Sequence, residues 1–410
     1  MTIWRKTLAT LREGRALPGY FKPREMEAKV PGVLNWSFER GAELELIGDT
    51  TGWPEMGAPQ FVVHGWLRQG VQVSLLHTWV KRTTMATQVI ALQSSTLALG
   101  EHMDHGTCWP QAIYSTANLS EWRRDTGLTY SRPAPKVRPK HVRVEWQPPS
   151  LDDVKVRGAR MTFGGESHYS VAYAADWSIA TWQDLVVNPE QPITLADGWR
   201  RFASPLLNLM SFASDRPDCI GREILVDPER NRRVEIWRQG RTVLPREWEL
   251  IGGYLFHAED LSDYASAIDM WWTLDEKLRP ALGLFADHIN HGTSYSPARF
   301  LTLYTAMEAY AKERHGRNQV RLLRQFAGVS QTATGCTDEA LRLIGASRRY
   351  FAHLGTQPNG PTVDEIEANV VLSTRRASAL MQACLLRELR FSTGEIEKVL
   401  NTYYSRWPLS

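Results

Sequence analysis

Two side chains five positions apart raise the first chemical possibility in this sequence. Arg348 and His353 stand in the segment SRRYFAHLG, residues 347–355. A guanidinium is a permanent cation whose donor fork suits oxyanions. An imidazole is the side chain whose ordinary pKa lies nearest neutrality. Together they could hold a negative group and move a proton beside it. The spacing alone carries little, because with 38 arginines and 11 histidines in 410 residues about one such pair arises by chance. A structural role fits as well. His353 falls in the last turn before Gly355, where a cation gains about 0.3–1 kcal/mol from the helix dipole. Arg348 lies four after Ile344 and seven after Leu341, at the edge of an apolar face where its stem can pack while its head reaches water. On an ideal helix five residues turn through about 140° net. The two side chains are therefore not expected to touch across one regular helix. Either the helix unwinds before His353, or the working site is assembled from two chains.

The elements that must position this pair are helical. From about residue 258 the apolar period becomes that of helices, with Leu261–Trp271 and Leu274–Leu284 forming one long or broken helix. Ser296 and Pro297 read as an N-cap with proline at the first helical position. Phe300, Leu303, Tyr304, Met307 and Ala311 then form a core-facing stripe. A shorter helix is predicted over 319–326. The next opens at Thr337, with Asp338 and Glu339 in its first turn, and runs to Gly355 as the residue after its C-cap. Thr362 and Glu365 make a capping box for a helix reaching about Arg390, and Ser392 with Glu395 repeats the signal for a last one. TQPNGP (356–361) cannot be helical.

The first 250 residues read mainly as strands: FVVHGW (61–66) and VQVSLL (71–76) joined as a hairpin, HVRVEWQ (141–147), HYSVAYAA (168–175), REILVD (222–227) and RVEIWR (233–238). One helix interrupts them near 197–214, with Pro205 inside its stripe, and SRPAPKVRPKH (131–141) reads as an exposed linker. The expected organisation is α+β and multidomain: a β-rich N-terminal region over 1–250, as one domain or two, followed by a helical bundle over 251–410.

Bulk properties narrow the function classes. Apolar residues make up 43% of the chain, which argues against disorder and against a membrane bundle. No stretch approaches the roughly 20 apolar residues of a membrane span, and MTIWRKTLATLREG lacks the apolar run of a secretory signal. Four scattered cysteines without a C-x-x-C suit a reducing cytoplasm. The net charge of +3 is too small to indicate nucleic acid by itself, so any such contact must rest on local clusters. Arginine outnumbers lysine 38 to 10, a bias that either phosphate binding or a GC-rich genome produces. The chain has no Walker, Rossmann or nucleophile-elbow pattern.

The C-terminal 150 or so residues resemble the HEPN domain, a helical bundle of many prokaryotic defence and toxin ribonucleases. RFLTLYTAMEAYAKERHG (299–316), the long helix from 363 and SRRYFAHLG carry the likeness. With its β-rich N-terminal half, looser in PGVLNWSFERGAELELIG (31–48) and HGWLRQGVQVSLL (64–76), the chain resembles ApeA-type anti-phage effectors. The resemblance implies an R-x4–6-H active site at Arg348 and His353, and cleavage of RNA without metal or other cofactor. Histidine would act on the ribose 2′-hydroxyl, arginine would hold the scissile phosphate, and the product would end in a 2′,3′-cyclic phosphate. It implies a homodimer, transfer RNA as a substrate, and a phage-derived protein as trigger. The position after the arginine, often polar in the family, is Arg349 here, which could tune RNA contact or alter activity.

Glu308, beside the apolar stripe, would orient a guanidinium of Arg348 or Arg349, or else sit on a solvated helix edge. Lys312, Arg314, Arg317 and Arg321 could contact phosphates, or could simply solvate a helix connection. EHMDHGTC (101–108) is the one metal-like cluster, but it lacks a fourth ligand, so no metal is expected. The basic hairpin of Arg232, Arg233, Trp237, Arg238 and Arg241 would bind RNA or protect a sheet edge. Two other functions fit the residues: a HEPN-like bundle that binds nucleic acid or protein without cutting, and a glycan-binding protein using the 16 tryptophans.

Overall fold

The computed structural model describes residues 3–84, 89–116, 118–124, 128–131, 143–146, 152–171, 177–240, 253–290, 296–355, 360–405 and 409. Contacts divide the chain into two compact units. The first comprises Met1–Ala117, Arg157–Ala203 and Cys219–Glu247, and the second Asn118–Val156, Ser204–Asp218 and Trp248–Ser410. A β-rich N-terminal region followed by a helical C-terminal region is what the sequence periods predict.

In the first unit, β1 (Leu17–Pro23), β2 (Val30–Ser37), β3 (Gly41–Ile47), β4 (Phe61–Leu67), β5 (Gln72–Thr84) and β6 (Val89–Gly100) pair antiparallel. Their order β1-β2-β3-β6-β5-β4 returns to β1, so they close into a six-stranded barrel. Alternation builds its interior, as in β2, where Val30, Gly32, Leu34 and Trp36 are buried. Leu8 and Leu11 of the helix α1 (Ile3–Arg12) join the same core. The 67–70 connection between β4 and β5 is the expected tight turn: Gly70 takes φ +83 and its N–H donates to the Leu67 carbonyl at 2.8 Å. Beyond Ser94, β6 passes from β3 to the strand Arg232–Arg238. The same sheet continues from there through Ile220–Asp227, Gln111–Thr116, Trp177–Pro189 and Ala159–Val171.

The basic hairpin is largely matched by acids. Arg238 forms a two-pronged pair with buried Glu223 at 2.7 and 3.0 Å, and Arg232 lies 3.2 Å from Glu101. Arg241 lies outside the described residues. Tryptophan serves mainly as core here: Trp36, Trp53, Trp109, Trp122, Trp237, Trp271 and Trp272 are all buried. HVRVEWQ contributes the strand Arg143–Trp146, paired with Leu128–Ser131. Nearly all of the 131–141 linker, and the 172–175 end of HYSVAYAA, lie outside the described residues. The helix expected near 197–214 forms as Leu195–Gly198, a π-helical turn Trp199–Ala203, and α2 (Ser204–Ser214). The wide turn falls just before Pro205, which has no N–H to give to a regular ladder.

The second unit is built on helices. The pair α3 (Tyr264–Asn290) and α4 (Pro297–His315) packs together, followed by α5 (Arg321–Ala327) and α6 (Asp338–His353). α3 is one helix kinked at Leu278 (φ −111, ψ 16), two residues before Pro280. The helix expected from Thr362 to Arg390 is instead two, α7 (Val363–Ala368) and α8 (Val370–Glu388). They part at Asn369, whose amide donates back to the Glu365 carbonyl at 2.8 Å and competes with the helical ladder. α8 is buried almost all round, from Ala377 through Leu386, as befits the central helix of a bundle. α9 (Thr393–Tyr404) opens on the predicted capping box of Ser392 and Glu395. Among the described residues no helix is long and apolar enough to cross a membrane.

Candidate active site

α4 and α6 position the site. Ser296 caps α4 as the sequence predicts, its hydroxyl accepting from the Arg299 N–H, and Pro297 is the first helical residue. Phe300, Leu303, Met307 and Ala311 are buried, while Tyr304 is only half-buried at the edge of that stripe. Thr337 caps α6, Ile344 and Ser347 face the core, and Phe351 packs edge-on against Phe300 at 5.9 Å between ring centres. These contacts leave one face of α6, with Arg348, turned along α4.

Arg348 and His353 do meet. Arg348 Nη1 lies 3.1 Å from His353 Nε2, and Arg348 Nη2 lies 3.5 Å from Glu308 Oε2. This differs from the expectation that a regular helix would keep them apart, since α6 stays helical through His353. The long arginine side chain spans the arc that separates the two backbone positions. A guanidinium only donates, so a hydrogen bond in this contact uses Nε2 as the acceptor. A ring nitrogen placed to accept beside a fixed cation is an arrangement that suits a general base. Glu308 is 24% exposed and Arg348 35%, so the carboxylate sits in the partly sheltered place where a partner matters most. Burial, followed by the charge of Glu308, pushes the Tyr304 phenol above its ordinary pKa, against the opposing pull of Arg348 and Arg349. The phenol therefore remains a hydrogen-bond donor.

The helix ends differently from the sequence expectation. The left-handed residue is Leu354 (φ 53, ψ 30), not Gly355, and its N–H donates to the Tyr350 carbonyl at 2.7 Å. A β-carbon in that conformation costs about 1–2 kcal/mol, and Leu354, 83% exposed, recovers none of it through burial in this chain. Leu354→Gly is expected to raise the unfolding free energy by about 0.5–1 kcal/mol, visible as a higher urea midpoint. A lower midpoint would show that the leucine side chain has packing the chain needs.

An open cleft of about 410 Å³ adjoins the pair. Tyr304 and Glu308 of α4 form one wall, Arg342, Gly345, Arg348 and Arg349 of α6 the other, and Gly360–Pro361 close one side. His353 is not part of this lining, and Arg348 is shared by cleft and pair. Arg342 and Gly345 escaped the sequence analysis, and Tyr304, expected in the core-facing stripe, borders the cleft instead. Arg342 and Arg349 are seven apart and so share a helical face, a signal that was present.

The other basic candidates separate. Arg314 is committed to Glu388, 2.9 Å away, and lies over the Phe326 ring at 5.3 Å. Arg321 donates to Gln319 at 3.2 Å. Lys312 and Arg317 are exposed, and Lys312 stands one helical turn beyond Glu308. In the first unit, His102 stacks on His64 and His105 meets His77, with ring centres 4.6 and 4.3 Å apart. Asp104 accepts from Gly106 and Thr107. No group of three or more histidine, cysteine or acidic side chains able to hold a metal occurs among the described residues.

A model of the Apea-like HEPN family matches residues 301–395, from the first turn of α4 to the first turn of α9. The matched segment contains Glu308, Arg348 and His353 and supports the likeness to ApeA-type HEPN effectors. No curated protein and no solved structure matches the chain.

Proposed function

We propose that this chain is an anti-phage defence effector whose helical unit is a metal-independent endoribonuclease. The observation that carries the reading is the Arg348–His353 contact at 3.1 Å inside the segment that matches the Apea-like HEPN model. Arg348 draws the scissile phosphate to its fork and stabilises the charge that develops on it. As the guanidinium turns to phosphate, His353 Nε2 is released and takes the 2′-hydroxyl proton. The 2′-oxygen attacks phosphorus, the bond to the 5′-oxygen breaks, and that oxygen leaves with a proton. The products are a 2′,3′-cyclic phosphate and a 5′-hydroxyl. Glu308 holds the second guanidinium nitrogen and sets the fork. One imidazole performs one of the two proton transfers, and a second copy of the chain would bring a second. HEPN domains pair typically, and Leu354, Val363 and Val371 are exposed apolar residues of this unit that a second copy would cover. Transfer RNA is a substrate whose exposed loops suit shape-based recognition. The β-rich unit would respond to a phage-derived protein in the cytoplasm.

The test is cleavage of RNA by purified protein in EDTA. Wild-type protein is expected to cut, a substrate with 2′-deoxyribose throughout to survive, and His353→Ala to lose about 10²–10⁴-fold in rate, the usual worth of a general acid or base. Cutting of the deoxy substrate, or undiminished cutting by the variant, would remove His353 from the chemistry. A HEPN-like binding module would instead retain RNA with no cleavage in any form.

A further inference from the structure

Three features of the cleft between α4 and α6 point to a ligand. First, α6 carries three arginines, at 342, 348 and 349, yet Arg342 and Arg349 are exposed and make no ion pair among the described residues. Neighbouring arginines of the same unit are matched, as Arg314 is by Glu388 and Arg324 by Asp338 at 2.9 and 2.7 Å. Secondly, Gly345 lies inside the helix, where glycine costs about 1 kcal/mol relative to alanine. No packing requires it, for a β-carbon there would meet nothing within 4 Å. Thirdly, Tyr304 is half-buried on the opposite wall, its ring 6.1 Å from that of Phe300 and 6.0 Å from the Arg348 guanidinium, so that its exposed part is an aromatic surface beside cations.

We propose that this cleft binds one nucleoside phosphate unit, the nucleotide next to the bond cut at Arg348 and His353. Arg342 and Arg349 take its phosphate, Tyr304 stacks on its base, and Gly345 leaves the floor open for its sugar. The volume of about 410 Å³ lies in the small-ligand range of roughly 300–1,000 Å³. Because Arg348 borders the cleft while His353 does not, a strand crossing the site places one nucleotide in the cleft and the neighbouring linkage at the pair. The subsite rests on the ribonuclease reading, and the experiment separates the two.

The experiment measures binding by the full-length His353→Ala protein, which cannot cleave, of a short fluorescein-labelled RNA of mixed sequence. Gly345→Leu is expected to weaken binding about tenfold, the scale of one lost base stack, and Gly345→Ala by less, in proportion to the space filled. Both should melt no lower than the parent, since either residue is a better helix former than glycine. Arg342→Ala and Arg349→Ala combined should lower the salt slope of log Kd by about 0.7, the one single-strand phosphate they share, and Gly345→Leu should leave it unchanged. Unchanged RNA affinity in folded Gly345→Leu overturns the subsite and leaves the nuclease standing. Loss of guanosine monophosphate binding in that variant with unchanged RNA affinity also overturns it, assigning the cleft to a free nucleotide. If the parent binds no RNA at low salt, subsite and nuclease fall together.

Discussion

Arg348→Lys lowers RNA cleavage by about 10²–10³-fold, the loss typical when one preorganised donor to a developing oxyanion is removed. The substitution keeps the charge and removes the fork. Arg348 reaches His353 with Nη1 and Glu308 with Nη2, and one ammonium cannot hold both while also presenting two parallel donors to a phosphate. Glu308→Gln retains shape and loses charge, so it loosens the orientation of the fork and gives a smaller drop. Stability is expected to change by no more than about 0.5 kcal/mol, because Arg348 is 35% exposed and its head faces the cleft. Single-turnover rates with matched melting curves test this. Full activity in Arg348→Lys would reduce the residue to a point charge, and full activity in Arg348→Ala would exclude it from the reaction.

Glu388→Ala is expected to destabilise the bundle. The carboxylate is 7% exposed at the end of α8. It accepts from the Tyr310 hydroxyl at 2.6 Å and from Arg314 Nη2 at 2.9 Å. Burial and the adjacent carboxylate hold the Tyr310 phenol well above its ordinary pKa, so it stays a donor throughout the physiological range. Removing the acceptor strands the buried Tyr310 phenol, a loss of about 1–3 kcal/mol, while Arg314, 45% exposed, turns to water. Glu388→Gln keeps an acceptor for Tyr310 and should cost distinctly less. Urea unfolding of the three proteins measures both, and a loss in the alanine variant no larger than a surface substitution would show that α8 does not depend on the network.

The same network shows what the sequence could and could not reveal. Caps were legible because they are local: Ser296, Thr337, Thr362 and Ser392 each accept from the N–H three residues ahead, as the residue types predict. Breaks that depend on one side chain folding back were not, so Asn369 divided a helix that apolar period alone carried on to Arg390. The αL residue was placed at Gly355 because glycine adopts that conformation most cheaply, whereas the chain turns one residue earlier at Leu354. The alternating strands of the first unit were readable, but the closure of six of them into a barrel depends on pairings between β1 and β4 and between β3 and β6, which no local pattern encodes. At the site, types and spacing brought out Arg348, His353 and Glu308. Contact between the first two was missed because angular separation on a helix measures backbone positions and ignores the reach of an arginine. Tyr304 read as core because its spacing matches its buried neighbours, and only the packing of α6 shows it at the cleft edge.

Cleavage of RNA during infection is the activity proposed for Arg348 and His353. Its most direct test is the mapping of RNA fragments and their end groups in cells expressing the wild-type protein, Arg348→Ala or His353→Ala at equal levels, with and without phage. Discrete fragments ending in 2′,3′-cyclic phosphate, with 5′-hydroxyl partners, are expected only where both residues are intact. Intact RNA in a wild-type culture that resists the phage would contradict it, and protection would then have to arise from binding instead of cleavage.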